Sequence, residues 1–382
     1  MTRPGGTPPQ AAAVPSTASR AAPSAPRAAQ RSDERRFTVR DAIARLAERR
    51  DLSEAEAAAA MEDIAEGVAT PAQIGAFATA LRMKGETAEE LAGLTRTMRR
   101  RLVPVPVEGE VVDTAGTGGD GAHTFNVSTL AAIVAAAAGA RVAKHGNRAA
   151  SSACGSADLL EALGVAIDLP PADVATCIQQ AGIGFMFAPL FHPALRHAVA
   201  PRREIGIRTV FNLLGPLLNP AGARHQLLGI SVPALAATMA EALRRTGSRH
   251  VLVVYGEDGV DEVSLSGPTV VHELVAGEVR HYRIVPEEFG LARAPRGAVR
   301  VGSLEESVAL ARRVLAGERG PARDIVVLNA AATLLAADRA TTLAEGVRRA
   351  EAALDSGAAA HCLEHLRALS QDLKARHGGA RI

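Results

Sequence analysis

Residues 111–163 read VVDTAGTGGDGAHTFNVSTLAAIVAAAAGARVAKHGNRAASSACGSADLLEAL. Their pattern predicts a strand, a glycine-rich loop, a helix, a second strand, a polar loop and a second helix. Because each loop follows a strand, both loops would meet at the carboxyl edge of a parallel sheet, where α/β folds bind their ligands. The sequence therefore predicts an α/β fold with a binding site between these two loops.

The first loop is rich in glycine, with four glycines in the six residues from Gly116 to Gly121. Backbone N–H groups in such a loop can curl around an anion, and the N-terminus of the next helix adds donors and a partial positive charge. Polar side chains stand at both ends of the loop: Asp120, Asn126, Ser128 and Thr129. A tight turn and a plain helix cap would explain each feature alone. Their adjacency favours phosphate or a metal-bound diphosphate.

The second loop lies between an apolar strand and an apolar helix. Its polar side chains are Lys144, His145, Asn147, Arg148, Ser151 and Ser152. Such groups are costly unless a ligand engages them, and two cations with two hydroxyls suit phosphate oxygens. A solvated loop is the alternative.

Two further charged groups follow along the chain. Asp261 and Glu262 come after a predicted strand, where adjacent acids are either surface charge or ligands for Mg²⁺, which prefers a couple of carboxylates plus phosphate and water. The segment PRREIGIRT contains Arg202, Arg203 and Arg208, which could offer a forked cation to a carboxylate. At least one of the three is expected to belong to the basic face of a helix.

Composition argues against several classes of function. Six arginines against Asp33 and Glu34 give the first 36 residues a charge of +4 and leave −2 on the remainder. This slightly acidic body, with no Trp and two Tyr, argues against nucleic acid as a partner. The longest strongly apolar run, residues 130–140, is too short to anchor the chain in a membrane. Three cysteines make neither a disulfide framework nor a metal knuckle, which favours the cytoplasm, and Cys154 is expected to pack rather than react.

Three parts are expected along the 382 residues. Residues 1–35, rich in Ala and Pro, are expected to be disordered, either as an extension of a cytoplasmic protein or as an organelle transit peptide. Residues 36–105 are expected to form a helical domain, joined by helices from about 193–220. Residues 106–382 are expected to form a larger α/β domain with a central, mostly parallel sheet flanked by helices.

The helical part carries clear start signals and apolar stripes. Capping-box spacing predicts helix starts at Ser53, Thr70 and Thr87. The stripes Ile74-Phe77-Leu81 and Leu91-Leu94-Met98 are expected to mate as one seam.

Five motifs occur in order: GTGGD with TFNVST, KHGNRAASS, CGSADLLEALG, RTVFNLLGPLLNP and GEDGVDEV. Together they closely resemble the anthranilate phosphoribosyltransferases of tryptophan biosynthesis, over about residues 38–370. The resemblance implies transfer of phosphoribosyl from 5-phosphoribosyl 1-diphosphate (PRPP) to the amine of anthranilate, with Mg²⁺, releasing diphosphate and N-(5-phosphoribosyl)anthranilate. It also implies a small helical domain beside a larger α/β domain, and a homodimer joined through the helical part.

The resemblance also implies roles for individual residues. Those that would bind the substrates are Gly116, Gly119, Asp120, Thr124, Asn126, Val127, Ser128, Thr129, Lys144, His145, Gly146, Asn147, Arg148, Ala149, Ala150, Ser151, Ser152, Ser156 and Arg202. Those that would contact anthranilate are Gly116, Asn147 and Arg202, the last facing its carboxylate. The catalytic residues would be Lys144, Asp120 and His145. The Mg²⁺ ligands would be Ser128, Asp261 and Glu262.

Two other functions stay open on the sequence alone. A pyrimidine-nucleoside phosphorylase has a similar fold but takes inorganic phosphate and a nucleoside, whereas NVST and the Asp261-Glu262 pair favour a diphosphate. A non-catalytic or nucleic-acid-binding relative would be expected to show a basic face and eroded motifs. No Ser-His-Asp arrangement is evident, so catalysis is expected to proceed by positioning and charge stabilisation, without a covalent enzyme intermediate.

Overall fold

The structure is a computed structural model that describes residues 7–13, 36–149 and 154–378. Residues 7–13 are exposed and have no helix or strand, and the rest of the predicted N-terminal tail lies outside the described residues. Residues from Phe37 onward form one compact unit. Among the described residues, no helix is both long enough and apolar enough to cross a membrane.

Helices occupy most of the described chain. Their bounds are α1 (Val39–Ala47), α2 (Glu54–Ala65), α3 (Pro71–Lys84), α4 (Ala88–Arg99), α5 (Val127–Ala137), α6 (Ser156–Ala162), α7 (Pro171–Ala181), α8 (Ala188–Phe191), α9 (Arg196–Ile205), α10 (Val210–Leu214), α11 (Ala236–Arg245), α12 (Leu304–Leu315), α13 (Pro321–Ala336), α14 (Leu343–Asp355) and α15 (Ala358–Gly378).

The central sheet has seven strands. Their bounds are β1 (Val112–Gly116), β2 (Val142–Gly146), β3 (Ile183–Phe187), β4 (His225–Gly229), β5 (His250–Gly256), β6 (Thr269–Val275) and β7 (Glu278–Ile284). Their order is β3-β2-β1-β4-β5-β6-β7; the first five are parallel, and β6 and β7 are antiparallel. The predicted α/β class, with a mostly parallel sheet flanked by helices beside a helical bundle, is confirmed. The β6–β7 hairpin is absent from the prediction.

The predicted starts of the bundle helices are present. The side chains of Ser53, Thr70 and Thr87 each accept a hydrogen bond from the backbone N–H of the residue three positions later. The side chain of that later residue in turn accepts the backbone N–H of the cap. Thr38 donates its N–H to Asp41 in the same manner before α1. Each cap supplies a hydrogen-bond acceptor for N–H groups that have no partner within the first helical turn.

The two apolar stripes of the bundle are buried in one apolar cluster. The stripe of α3 packs with α1 and α9, whereas α4 packs on α2 and α11. A Cβ on Gly93 of α4 would collide with the carbonyl of Glu54, so the close approach of α2 and α4 requires glycine. The main partners of α3 and α4 thus differ, and direct mating of the two stripes as one seam stays a prediction.

Residues 193–217 return to the bundle, as the sequence indicates. Helix α9 packs on α3, and α10 packs on α3 and α4. Their buried side chains share one apolar cluster with the bundle. The division of the chain into a helical domain and an α/β domain at these bounds stays a prediction.

The sheet's topology locates its ligand edge. The chain passes from β1 to β2 and β3 on one side and then returns to β4 on the other side of β1. This reversal makes a crevice at the carboxyl ends of β1 and β4, where open α/β sheets bind ligands. Helices α5 and α13 pack together behind it and are covered by α14 and α15, so both can be apolar on nearly every face.

A charge cluster of buried His250 and Glu273 with exposed Asp338 lies at the opposite, amino edge of the sheet. His250 begins β5 and is 6% exposed, with Nδ1 2.6 Å from Asp338 Oδ1 and Nε2 3.0 Å from Glu273 Oε1. Both ring nitrogens can donate to these carboxylates only when the imidazole is protonated. Burial lowers the pKa of His250, but its hydrogen bonds to Glu273 and Asp338 outweigh burial and raise that pKa above its ordinary value.

We expect stability to depend on pH through His250. Because its pKa is higher in the folded than in the unfolded chain, where it is about 6.5, its contribution is complete below about pH 6.5 and is lost as the pH rises above this value. His250→Gln should lower the free energy of unfolding by roughly 1–2 kcal/mol at pH 6 and by less at pH 9. Urea unfolding at both pH values checks this, and an equal loss at both would contradict it.

Candidate functional site

A cavity of about 340 Å³ opens at the carboxyl edge of β1 and β2. Its walls are the glycine loop, the start of α5, the loop after β2, and Asp261 with Glu262. The predicted site residues that line it are Gly116, Gly119, Asp120, Thr124, Asn126, Val127, Ser128, Thr129, Lys144, His145, Gly146, Asn147, Arg148, Ala149, Ser156, Asp261 and Glu262. Ala150, Ser151 and Ser152 lie outside the described residues. Arg202 is not part of the lining.

The glycine loop folds around an acid. Gly118, Gly119 and Gly121 have φ values of +64°, +72° and +66°, which favour glycine. The N–H of Gly118 donates to Asp261 Oδ2 at 2.6 Å, and a Cβ on Gly116 would collide with the same carboxylate. The glycines therefore allow the backbone to approach Asp261 closely.

Three carboxylates converge beside this loop. Burial, and then the neighbouring Asp120, raise the pKa of Asp261 to about 6. Burial and Asp261 also raise the pKa of Glu262 well above its ordinary value, although Lys144 opposes this. Oδ2 of Asp120 is buried, and no donor among the described residues reaches it. Buried acids that repel one another in this way are suited to a cation.

Lys144 supplies a fixed positive charge below the cavity. Its side chain is 2% exposed, and Nζ donates to the carbonyl of Thr114 at 2.5 Å and to Ser128 Oγ at 3.4 Å. Burial lowers the pKa of Lys144, whereas the charges of Asp113 and Glu262 oppose that shift. Because Lys144 belongs to β2 and not to a mobile loop, its ammonium is held in place before any ligand binds.

His145 lines the cavity but is turned into the protein. Its Nε2 lies 2.9 Å from Nε2 of His192, and its ring also hydrogen-bonds the backbone of Gly215. Burial lowers the pKa of His145 to about 3 and that of His192 to about 4, so both rings are neutral at pH 7. With both nitrogens engaged, the His145 ring is held in one orientation and one tautomer.

At the start of α5, some of the N–H groups that could bind a phosphate already have acceptors within the chain. The N–H of Val127 donates to Phe125 at 2.7 Å, and the N–H of Ser128 donates to Glu262. The side chain of Asn126 joins two neighbouring segments, donating to the carbonyl of Cys154 and accepting from Ser307. The free donors expected at this helix end are thus partly used within the chain, and one of them holds Glu262.

The second loop is tied to α6 through its own side chains. Arg148 pairs with Asp158 at 2.9 Å and with Glu161 at 2.7 Å, and its guanidinium lies over the ring of Phe187. Asp158 also accepts the N–H of Ala149 at 2.9 Å. The helix is capped at Gly155, whose N–H donates to Asp158 Oδ2 at 3.0 Å. Arg148 therefore lines the cavity with its guanidinium already engaged by these two carboxylates.

The three arginines of PRREIGIRT go to different places. Arg202, in the last turn of α9, lies over the ring of Phe211, with burial lowering its pKa. Arg203 is exposed and belongs to a basic helix face. Arg208 reaches the glycine loop, where its Nη2 donates to the carbonyl of Thr117 at 2.9 Å.

Several residues around the site are absent from the prediction. Asp113 is fully buried beside Lys144, His192 orients His145, and Arg296 donates to the carbonyls of Asp120 and Asp258 at 3.1 Å. An acid within the buried strand before GTGGD was a usable signal for Asp113. Arg296 follows Pro295 far along the chain, and no local pattern connects it with the loop it supports.

Similarity to known proteins agrees with this geometry. Residues 40–102 match the family described as "Glycosyl transferase family, helical bundle domain", and residues 108–360 match "Glycosyl transferase family, a/b domain". The anthranilate phosphoribosyltransferase of Chloroflexus aggregans is 58% identical over 337 residues, 88% of this chain and 99% of that protein. That of Symbiobacterium thermophilum is 54% identical over 334 residues, 87% of this chain and 98% of that protein.

Solved structures of similar proteins lead to the same family. The anthranilate phosphoribosyltransferase of Thermus thermophilus is 47% identical with a TM-score of 0.82, covering 87% of this chain and 99% of its own. The Saccharomyces cerevisiae enzyme in complex with PRPP and Mg is 29% identical with a TM-score of 0.80, covering 87% and 98%. Its complex with 4-fluoroanthranilate is 28% identical with a TM-score of 0.78 and the same coverage. This chain belongs to the anthranilate phosphoribosyltransferase family.

Proposed function

We propose that this protein transfers the phosphoribosyl group of PRPP to the amine of anthranilate at the carboxyl edge of its sheet, a step of tryptophan biosynthesis. The observation that carries the proposal is one cavity that joins the glycine loop, Ser128, Lys144 and the Asp261-Glu262 pair. Those groups are suited to a diphosphate that carries Mg²⁺.

The acidic residues support Mg²⁺ as the cofactor. Asp261 and Glu262 are buried side by side with raised pKa values, and a divalent cation would remove the repulsion between them. No cluster of three or more His, Cys, Asp or Glu able to hold a metal occurs in the described part of the chain. Mg²⁺ does not need such a cage, because it commonly takes one or two carboxylates and completes its shell with substrate phosphate and water. Asp261, Glu262 and Ser128 are the proposed ligands, and bound Mg²⁺ would neutralise charge on the diphosphate.

The chain's own residues would stabilise the departing diphosphate. Lys144 holds a fixed ammonium on the side of Ser128, and the backbone of Gly118 and Gly119 can pass close to phosphate oxygens. Displacement at the ribose C1 would place positive character on the ribose and negative charge on the leaving group. An aromatic amine can attack without prior deprotonation, so the mechanism requires no strong base. Positioning and charge stabilisation supply the catalysis.

We assign His145 to positioning rather than to proton transfer. Its ring is neutral and held by His192, so it can shape the cavity wall next to Asn147. Asp120 likewise acts on the site through Asp261, whose pKa it raises, and through its bond to the N–H of Ala122 at 3.0 Å. Of the three predicted catalytic residues, Lys144 is retained as the catalytic cation.

Arg202 is proposed to bind the carboxylate of anthranilate, with Gly116 and Asn147 as further contacts. Its guanidinium is partly buried on Phe211 and has no carboxylate partner among the described residues, so a ligand carboxylate would complete its hydrogen bonds. Arg202→Ala should raise the KM for anthranilate by about tenfold or more and leave the KM for PRPP nearly unchanged. Steady-state kinetics with each substrate varied in turn measures both constants. A rise confined to PRPP would move Arg202 to the donor site.

Loss of anthranilate fluorescence tests the function directly. The purified protein is mixed with anthranilate, PRPP and Mg²⁺, with Mg²⁺ omitted in one arm and PRPP replaced by phosphate and uridine in another. We expect loss of fluorescence only in the complete mixture. Release of uracil in the phosphate arm would instead identify a nucleoside phosphorylase, and no reaction in any arm would indicate a non-catalytic relative.

We further propose a cytoplasmic homodimer joined through the helical part. Large apolar side chains are exposed there, including Val68, Met83 and Val199, and a partner subunit would cover them. Cys177 and Cys362 are buried and form no disulfide with another described residue, in keeping with a reducing compartment. Light scattering on the eluting protein would show twice the 39.5 kDa chain mass; a monomer at micromolar concentration would contradict the dimer.

A further inference from the structure

Arg208 contacts the glycine loop through its guanidinium. Its Nη2 donates to the carbonyl of Thr117 at 2.9 Å, and a Cβ on Gly119 would collide with its guanidinium. Gly119 has a φ of +72°, so both its lack of a side chain and its backbone conformation are used here. The guanidinium therefore packs directly against the backbone of the loop at Gly119, which has no side chain.

The backbone on both sides of Arg208 is fixed by helix ends. Helix α9 stops at Gly206, which has a φ of +68°, and Thr209 caps α10 by donating its N–H to Asn212 Oδ1 at 3.0 Å. Ile207 and Arg208 are all that remains between these ends, and Ile207 is 52% exposed. The arginine is thus presented to the loop by a short connector that is anchored in the helical part.

The electrostatic surroundings of Arg208 are mixed. Asp261 and Asp120 attract its charge from the loop side, and Arg82 of α3 repels it from the bundle side. Burial, with this repulsion, lowers the pKa of Arg208 despite the two acids. The guanidinium stays charged at neutral pH because the ordinary pKa of arginine is above 12.

We propose that Arg208 is a positioning residue for PRPP, which braces the glycine loop through Thr117 and Gly119 and places a positive charge beside the Asp120-Asp261 pair. This inference rests on the proposed function and deepens it. It connects the helical part to the diphosphate site through a single side chain. The positive charge of Arg208 favours binding of the anionic PRPP and opposes binding of Mg²⁺.

Those opposite directions give the inference its test. The charge of Arg208 attracts an anionic donor and repels Mg²⁺ from the neighbouring acids. Arg208→Ala should therefore raise the KM for PRPP by about tenfold or more, while lowering the Mg²⁺ concentration for half-maximal rate on the order of threefold. The KM for anthranilate should stay unchanged. General damage to the site would instead weaken both PRPP and Mg²⁺.

Two further variants separate charge from geometry. Arg208→Lys keeps the charge but loses the planar fork, so its Mg²⁺ requirement should equal the wild type while its KM for PRPP is intermediate. Arg203→Ala removes an exposed arginine from the same segment and should change neither constant. Hydrogen exchange in the ligand-free protein should be faster over residues 116–121 in Arg208→Ala alone.

The outcomes are distinct. A wild type that consumes no anthranilate would overturn the proposed function. An active wild type with an Arg208→Ala variant of unchanged PRPP and Mg²⁺ constants would overturn only this inference. A parallel weakening of PRPP and Mg²⁺, or the same behaviour in Arg203→Ala, would also overturn it.

Discussion

Replacing Lys144 by methionine is expected to lower kcat by roughly two to three orders of magnitude, the cost of removing one fixed group that stabilises charge in a transition state. The ammonium is held in β2 by the carbonyl of Thr114 and by Ser128, so water cannot replace it in the same place. The KM for anthranilate should change little. Stopped-flow or steady-state fluorescence at saturating substrates measures the loss.

Lys144 also neutralises a buried acid, so this variant needs a control for stability. Asp113 is 0% exposed, and removing its counter-charge should destabilise the fold by about 3–5 kcal/mol. Adding Asp113→Asn should recover most of the stability and none of the turnover. Recovery of turnover in the double variant would show that Lys144 serves the fold and not the leaving group.

The second large effect is expected from the paired acids. Asp261→Asn together with Glu262→Gln should lower turnover about a hundredfold or more at millimolar Mg²⁺, because it removes the two proposed carboxylate ligands. Excess Mg²⁺ should restore part of the activity. The same change relieves repulsion between buried charges, so the melting temperature without Mg²⁺ should not fall.

A matched acidic pair provides the control. Glu287 and Glu288 are also adjacent but are exposed, and their exchange for glutamine should leave the Mg²⁺ dependence unchanged. If Asp261→Asn with Glu262→Gln behaved like this control, the two acids would not belong to the metal site.

The part of the site that the sequence predicts best is local. A strand, a glycine loop and a helix follow one another within a few residues, so the positions of Gly116, Gly119 and Ser128 on one cavity follow from the βα connection itself. The same holds for Lys144, because β2 lies next to β1 in the sheet. The predicted helical starts also depend only on residues three apart.

What local pattern cannot predict is the choice between competing partners. Arginine is a residue type that commonly binds phosphate, yet the guanidinium of Arg148 forms ion pairs with Asp158 and Glu161 within the chain. Likewise, one of the first N–H groups of α5, that of Ser128, donates to Glu262, which lies more than a hundred residues away in the sequence. Arg208 reads in the sequence as one of three similar arginines, and only the fold brings it to Thr117.

A crystal structure with PRPP, Mg²⁺ and 4-fluoroanthranilate tests the central claim most directly. We predict the diphosphate between the glycine loop and Lys144, Mg²⁺ against Asp261 or Glu262, and the aromatic carboxylate facing Arg202. Diphosphate bound at another edge of the sheet, with Gly119, Lys144 and Glu262 making no contact with it or its metal, would contradict the account.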